Sequence, residues 1–505
     1  MTNSSKPHRT WTWFHPVLAI MMIWHTSEAN IGYFWQITDL HLELNYSVSV
    51  ANRDKMCWRQ NGGFRSPEGH GRYGSHSCDS PFILVESAIK AMKNITGHEG
   101  IEFILWTGDS VSHSTYHDES IKDDTVFSVL KNITYLLKTQ FPFSNIYPVL
   151  GNMDWYAKSR MTSSAGYAEF HNRLKLYGQL WSNWVPPESL FDFEKGGYYA
   201  IQARDRRTLL LILNTSLYEK RQWIGANEED PAGQFAWLHE KLKMAMAMGN
   251  MVFIIGHIPP GKMERYMSSR FGHHAYQDQF NKRYLRLVRD YHSIIAGQFF
   301  GHFHSDSFRV FYEKMDKTKG KFLERNPISY LFLAPAVSPR KSTLGDEIGP
   351  NNPGLRLYQY NTSSGQIYDY TQYYLNLTEA NEMNRAEWKI LYNFTNYYRL
   401  QNVSAASLSD LAFSFLKDSG SENFNKYYFA NSVGYEDPSK CLNLCRRTHF
   451  CVITNVDYQD YERCIQTVFG SIGSANFLIV NINTTLFFLL FVLVINLVGS
   501  SGQLY

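Results

Sequence analysis

The chain has 505 residues, of which 49 are basic and 46 acidic, giving a formal net charge of +3. With 19% charged and 44% hydrophobic residues it has the composition of a globular protein, not of a disordered or fibrous one. The near-neutral charge argues against a partner that is a nucleic-acid polymer, which calls for a strongly basic domain or stripe.

Residues 1–29 read as a signal peptide. Lys6, His8 and Arg9 form a basic start, Trp13 to Trp24 is an apolar stretch too short to span a bilayer, and Ser27-Glu28-Ala29 offers small residues at a cleavage position. The interior then alternates short apolar runs with amphipathic stretches. Runs at Ile31–Thr38, Phe103–Trp106, Asn145–Leu150, Thr208–Leu213, Met251–Ile255, Ser293–Ala296 and Tyr330–Leu333 predict strands. Apolar residues at three- and four-residue spacing predict helices over Phe82–Met92, Thr125–Lys138, Gln234–Met248 and Gln277–Tyr291. This alternation implies an α/β core over 30–377. Beyond it, Trp388–Leu400 and Ser407–Lys417 read as helices and a cysteine cluster follows, so 378–470 is expected to be a helical, disulfide-stapled subdomain. Residues 471–505 close the chain with a second apolar stretch, Phe477 to Val498. Gly473-Ser474-Ala475, a mixed spacer and the apolar tail match a GPI-attachment signal. A transmembrane helix is the alternative, but Asn481, Asn483 and Asn496 are costly in hydrocarbon and no Lys or Arg follows the stretch.

These ends place the protein outside the cell, held on the outer membrane leaflet by a lipid anchor or secreted. N-x-[ST] sequons at Asn45, Asn94, Asn132, Asn214, Asn361, Asn376, Asn393 and Asn402 agree, and make a glycoprotein the expectation. Six cysteines allow 15 pairings. Local closure favours Cys57 with Cys78 and two bridges within Cys441, Cys445, Cys451 and Cys464. A zinc site in the later cluster is the competing reading, although its spacings fit zinc ribbons poorly.

Five short motifs follow predicted strands: Asp39-x-His41, Gly108-Asp109, Gly151-Asn152, Gly256-His257 and Gly301-His302-x-His304. Ligands of α/β sheets bind beyond the carboxyl ends of strands. The neighbouring glycines permit tight turns and leave room for metal and substrate. Imidazole, carboxylate and amide oxygen suit two borderline divalent cations such as zinc. One bridging carboxylate can hold two ions roughly 3.5–4 Å apart, which clamp an in-line phosphoryl displacement and activate hydroxide.

In this order, D-x-H, G-D, G-N-x-D, G-H and G-H-x-H resemble the calcineurin-like metallophosphoesterases. The words ITDLHLELNY (37–46), CDSP (78–81), FILWTGD (103–109), GHIPPG (256–261), IAGQFFGHFHSDSF (295–308) and NNPGLRLYQY (351–360) resemble the acid sphingomyelinase-like phosphodiesterases, in particular their GPI-anchored branch. The resemblance covers nearly all of 30–470. It implies a four-layer sandwich of two β-sheets flanked by helices, and two Zn²⁺ per chain. One ion would take Asp39, His41, bridging Asp109 and His304. The other would take Asp109, Asn152, His257 and His302. It also implies a phosphate-facing catalytic histidine four residues after the bridging aspartate, here His113, and the disulfides Cys57–Cys78, Cys441–Cys445 and Cys451–Cys464. Sphingomyelinase proper carries an N-terminal saposin domain, for which 30–38 leave no room. The expected substrate is therefore a small phosphodiester or nucleotide, handled by a monomer.

One departure bears on activity. The family word G-N-H-[DE] reads Gly151-Asn152-Met153-Asp154. The missing histidine is the residue held to protonate the leaving group, and methionine has no proton to give. The leading reading is a metal-dependent phosphoric diester hydrolase. The alternative is a zinc-binding surface glycoprotein whose catalysis is impaired. A purple-acid-type phosphomonoesterase would need an iron-binding tyrosine where Ser112 stands. His273 and His274 are candidate replacements for the acid by composition only. Phe303 lies between two ligands without a role of its own, and Arg340 is a candidate contact to an anionic ligand.

Overall fold

The structure, a computed structural model, describes Met1 and residues 30–48, 70–97, 100–114, 123–154, 164–204, 207–219, 228–265, 274–314, 325–341, 350–417 and 422–467. The leader, the apolar tail and Cys57 lie outside the described residues. Among the described residues no helix is long and apolar enough to cross a membrane.

Among the described residues twelve strands form two six-stranded sheets. In chain order they are β1 (Ile31–Ile37), β2 (Phe103–Trp106), β3 (Asn145–Pro148), β4 (Tyr199–Gln202), β5 (Thr208–Ile212), β6 (Met251–Ile255), β7 (Ile295–Phe300), β8 (Ser307–Tyr312), β9 (Pro327–Leu333), β10 (Gly354–Asn361), β11 (Ile367–Leu375) and β12 (Trp388–Asn393). The first sheet runs β12-β11-β10-β1-β2-β3 and the second β4-β5-β6-β7-β9-β8. Each sheet contains a parallel run: β1–β2–β3 at one side of the first, β5–β6–β7–β9 in the middle of the second. Strands buried on both faces are apolar without alternation, as Phe103-Ile104-Leu105-Trp106 is.

Phe34 marks the seam between the sheets. It stacks on Phe103 and Tyr358 at 4.7 and 4.8 Å and meets Phe299 of the second sheet edge-on at 5.3 Å. Gln36 crosses the same seam, its Nε2 donating to the Phe300 carbonyl at 3.0 Å. Helices cover the sandwich with one apolar face each; Phe82–Thr96 buries Leu84, Val85, Ala88, Ile89 and Met92, the spacing of one helical stripe. The four-layer expectation is met.

Two expectations are corrected. Trp388–Asn393 is not helical: it is the edge strand β12, paired antiparallel with β11. Its Trp, Ile and Tyr suit a pleated surface, and Tyr392 is drawn inward because its hydroxyl donates to Asp306. The stretch from 378 thus begins inside the first sheet. It becomes helical at Phe394–Tyr398, Ala405–Ser414, Glu422–Asn431 and Asn443–Thr454. The second correction concerns Asn214. It is fully buried, and its amide donates to the Gly196 carbonyl at 2.9 Å, so this fold has no room for a glycan there. Asn45, Asn94, Asn132, Asn393 and Asn402 are exposed, and Asn361 and Asn376 half-buried.

Cys441–Cys445 and Cys451–Cys464 are disulfides, with Cα separations of 5.2 and 5.7 Å, so the four thiols are not a zinc site. Beside them His449 is buried against the Tyr427 hydroxyl at 3.2 Å.

Peptide mapping of secreted protein is expected to find Asn214 without glycan. A second expectation concerns pH. Burial pushes the His449 pKa down from 6.5 to about 4. The unfolded chain therefore binds the extra proton first, so stability is complete above pH 6.5 and falls as pH drops toward 4. The loss from this residue is roughly 3 kcal/mol at about 1.4 kcal/mol per unit. Denaturant titrations should show His449→Gln losing less stability over that window than the unaltered chain; parallel losses would refute the assignment.

Candidate metal centre

The parallel strands of both sheets end at one side of the sandwich, and every predicted ligand follows such an end. Asp39 and His41 follow β1, Asp109 follows β2, Asn152 follows β3, His257 follows β6, and His302 and His304 follow β7. Asp39, His41, Asp109, His302 and His304 have φ of 51°, 41°, 51°, 72° and 58°, a left-handed conformation that non-glycine residues rarely hold. Ladders between the loops impose it: Asp39 N–H donates to the Gly108 carbonyl at 2.9 Å, His41 N–H to Asp109 at 3.0 Å and Gly301 N–H to His257 at 3.0 Å.

Each carboxylate has one oxygen anchored and the other turned inward. Asp39 Oδ2 accepts from the Thr38 hydroxyl at 2.8 Å and the His302 N–H at 2.9 Å. Its Oδ1 shares the His302 N–H at 3.2 Å and also faces His304 Nε2 at 3.4 Å and His41 Nε2 at 3.8 Å. Asp109 Oδ1 accepts from the Met153 N–H at 2.8 Å. Its Oδ2 lies between His257 Nε2, at 3.1 Å, and His41 Nε2, at 3.7 Å. Asn152 Oδ1 is 3.1 Å from His257 Nε2, and Asp109, His257 and His302 offer three ligand atoms to one point. The structure therefore brings all seven predicted ligands together, with Asp109 belonging to both the Asp39–His41 group and the His257–His302 group.

The hydrogen bonds identify the tautomers. His41 Nδ1 is 3.0 Å from the Val111 carbonyl and His257 Nδ1 is 2.8 Å from the Thr107 carbonyl. Carbonyl oxygens only accept, so both Nδ1 atoms carry the proton and both Nε2 atoms turn inward. Burial, with His113 alongside, lowers the His41 pKa to about 3, so its Nε2 is a lone pair. That lone pair faces another histidine nitrogen, His304 Nε2, at 3.0 Å, and two carboxylate oxygens. Burial would raise Asp39, but His304 prevails and holds it at about 2; Asp109 is likewise ionised, burial being overridden chiefly by His257. Without a metal the proton goes to His257: although burial opposes it, Asp109 drives that pKa up to about 10. The donor set of imidazole, carboxylate and amide fits divalent cations.

His113 stands at the edge of this cluster. Its ring stacks on His41 with centroids 4.1 Å apart, and its Nδ1 lies 3.0 Å from Asp79 Oδ1. Asp79 is fully buried and also accepts the His113 backbone N–H at 2.7 Å. Sequence reasoning gave Asp79 no role, although the word CDSP contained it. Nor did it give one to Asp154, whose carboxylate joins two ligand loops by accepting from Ser110 N–H at 2.6 Å and Gly151 N–H at 2.9 Å. Met153 is buried, 4% exposed, and contributes only its backbone N–H to the site. His273 lies outside the described residues, and His274 stacks on Tyr458 at 3.7 Å.

A calcineurin-like phosphoesterase family model matches residues 32–306, and an acid sphingomyelin phosphodiesterase C-terminal region model matches 326–470. The chain is 34% identical to mouse acid sphingomyelinase-like phosphodiesterase 3b, over 89% of this chain and 93% of that one. It is 35% identical to the human cyclic GMP-AMP phosphodiesterase SMPDL3A, over 87% and 91%. It is 33% identical to Dictyostelium discoideum sphingomyelinase phosphodiesterase C, over 86% and 92%.

Glycine at 151 is needed for space: a Cβ there would sit 2.2 Å from both the backbone nitrogen and the Oδ1 of Asp109. Gly151→Ala should therefore lose bound metal in elemental analysis while its far-ultraviolet dichroism stays native. Full metal occupancy in the variant would show that the loops are not so constrained.

Proposed function

The chain belongs to the acid sphingomyelinase-like phosphodiesterases of the calcineurin-like phosphoesterase family, and we propose that it hydrolyses small phosphodiesters or nucleotides at a pair of zinc ions. The observation that carries the reading is the convergence of five strand-end loops on Asp109 Oδ2, with the histidine tautomers fixed so that lone pairs meet there. Asp39, His41, Asp109 and His304 would hold one ion, and Asp109, Asn152, His257 and His302 the other. Bound there, the ions supply charge neutralisation at the phosphate and a water acidic enough to attack near neutral pH.

The chain's own groups do the rest. Asp79 holds His113 by Nδ1, which leaves Nε2 for a non-bridging phosphate oxygen. Met153 cannot protonate the leaving group, and losing a general acid costs on the order of 10²–10⁴-fold. Leaving groups of low pKa, such as nitrophenolate or a phosphate anhydride, need that proton least. The leader and the apolar tail support delivery to the cell surface on a lipid anchor, with glycans on the exposed sequons.

The test is metal-loaded protein from secreting cells, assayed on bis(4-nitrophenyl) phosphate, on ATP and on an alkyl phosphodiester. Turnover of the first two is expected. Met153→His should raise alkyl ester hydrolysis by at least about tenfold, and more than it raises nitrophenyl ester hydrolysis. Bound metal without turnover of any substrate, and activity only in the variant, would make this a metal-stabilised surface glycoprotein that acts by binding.

A further inference from the structure

The turn that carries His257 is held from outside. Its sequence is His257-Ile258-Pro259-Pro260-Gly261, and the two prolines remove two backbone donors from it. Other segments supply its anchors. The Thr215 hydroxyl accepts the Ile258 and His257 N–H groups at 2.8 and 3.2 Å. The Tyr276 hydroxyl donates to the Ile258 carbonyl at 2.8 Å. At the far end, Asn281 Oδ1 accepts the Gly261 N–H at 3.0 Å, and the Gly261 carbonyl accepts the Ala275 N–H at 3.0 Å.

Behind these anchors stands the C-terminal region. Tyr458 is buried, and its hydroxyl accepts the Tyr276 N–H at 3.1 Å. The hydroxyl's own hydrogen faces the Tyr276 carbonyl at 2.9 Å and the Gly261 carbonyl at 3.4 Å. Two further contacts bring 456–462 to the same place. Asn281 Nδ2 donates to the Val456 carbonyl at 3.0 Å, and Lys262 Nζ pairs with Glu462 at 2.6 Å. Tyr458 thus reaches His257 in two steps: its hydroxyl fixes the Tyr276 backbone, and the Tyr276 side chain fixes the residue after His257. The His257 ring is tied separately, Nδ1 to the Thr107 carbonyl at 2.8 Å, so what the two tyrosines set is the place of its backbone.

We propose that Tyr458 is a positioning residue of the metal centre, which acts through Tyr276 to set where His257 presents its Nε2. This rests on the metal-dependent hydrolase reading above. Metal ligation tolerates shifts of only about 0.2 Å in a ligand atom, so a turn without donors of its own needs rigid outside support. The support falls on one ligand group: these contacts reach the turn of His257, while Asp39 and His41 are held by the loop after β2. The C-terminal region therefore serves the ion assigned to Asn152, His257 and His302 more than its neighbour.

The experiment titrates zinc against a competing chelator in the full chain, unaltered and as Tyr458→Phe, Tyr276→Phe and the double variant. Tyr458→Phe should weaken one of the two zinc ions roughly tenfold and leave the other unchanged, the lower end of what loss of an outer partner costs a metal site. The double variant should bind that ion no more weakly than Tyr276→Phe alone, because the two hydroxyls act in series. Unchanged affinities would overturn the inference. So would additive losses, or equal weakening of both ions together with a lower melting temperature, which is what a purely structural role predicts. If Tyr458→Phe does not fold, His274→Ala decides, since it removes the ring stacked on Tyr458 and keeps the hydroxyl. Weakening of one ion supports the proposal, and weakening of both or neither refutes it. If the unaltered protein holds no zinc, the metal-dependent reading fails, and hydrogen exchange decides this one. Faster exchange over 253–261 in Tyr458→Phe, with 103–114 unchanged, supports the positioning of His257, and equal exchange refutes it.

Discussion

The carboxylate of Asp109 is the constraint around which the site is built. It is 2% exposed, ionised, and placed at the seam where the two sheets' parallel strands end. An ionised carboxylate removed from water costs several kcal/mol unless it is paired and hydrogen-bonded. The neighbouring loops meet that requirement unevenly. One oxygen takes a neutral donor, the Met153 N–H, and the other faces two imidazole nitrogens, of which His257 is the nearer. The left-handed backbone at Asp39, His41, Asp109, His302 and His304 costs on the order of 1–2 kcal/mol at each residue. Asparagine or glycine would relieve that strain at any of them. Its concentration on five residues that all face one point follows from a requirement for ligand atoms, not for stability.

Support for the cluster reaches across the molecule. The loop that carries His302 and His304 continues into Ser305 and Asp306. The Ser305 hydroxyl donates to Glu264, which is paired with Arg309, while Asp306 pairs with Arg356. Asn431, from a C-terminal helix, donates to Glu264 and to the Asp306 carbonyl and accepts from Arg265. Asn351 closes the circuit, accepting from Arg265 and donating to the His304 carbonyl. Breaking one member of such a buried network leaves an uncompensated charge, typically worth about 3–5 kcal/mol. The helices after β12 therefore hold His304 in place, and are not an appendage to the catalytic half.

How much of this the sequence discloses follows from what each residue type needs. The seven candidate ligands are legible because each follows an apolar run, and parallel strands bring such positions to one end. Glycine beside most of them marks the close approach that the Asp109–Gly151 contact requires. Trp388–Asn393 is ambiguous because six residues of mixed polarity satisfy either period, and the choice is made by the open edge of β11, which no local pattern announces. Asn214 matches a sequon, but a sequon describes three residues and not their burial between helix and sheet. Asp79 lies outside the strand-end pattern altogether. Its meaning comes from the approach of segments far apart in sequence, around Ser80 and Ser112.

The same geometry explains why methionine is tolerated at 153. Holding the carboxylates and reacting with substrate are assigned to different atoms. The backbone N–H of residue 153 anchors Asp109, a contact that any non-proline side chain leaves in place. The Met153 side chain is packed within the apolar core, so its replacement of a polar residue costs no buried donor or acceptor. The tautomers of His41 and His257 are fixed by the Val111 and Thr107 carbonyls, again backbone atoms. A substitution that removes proton chemistry can thus leave the ligand cluster untouched. The arrangement of the candidate ligands is for that reason a statement about the loops, separate from the proton chemistry that a side chain at 153 would supply.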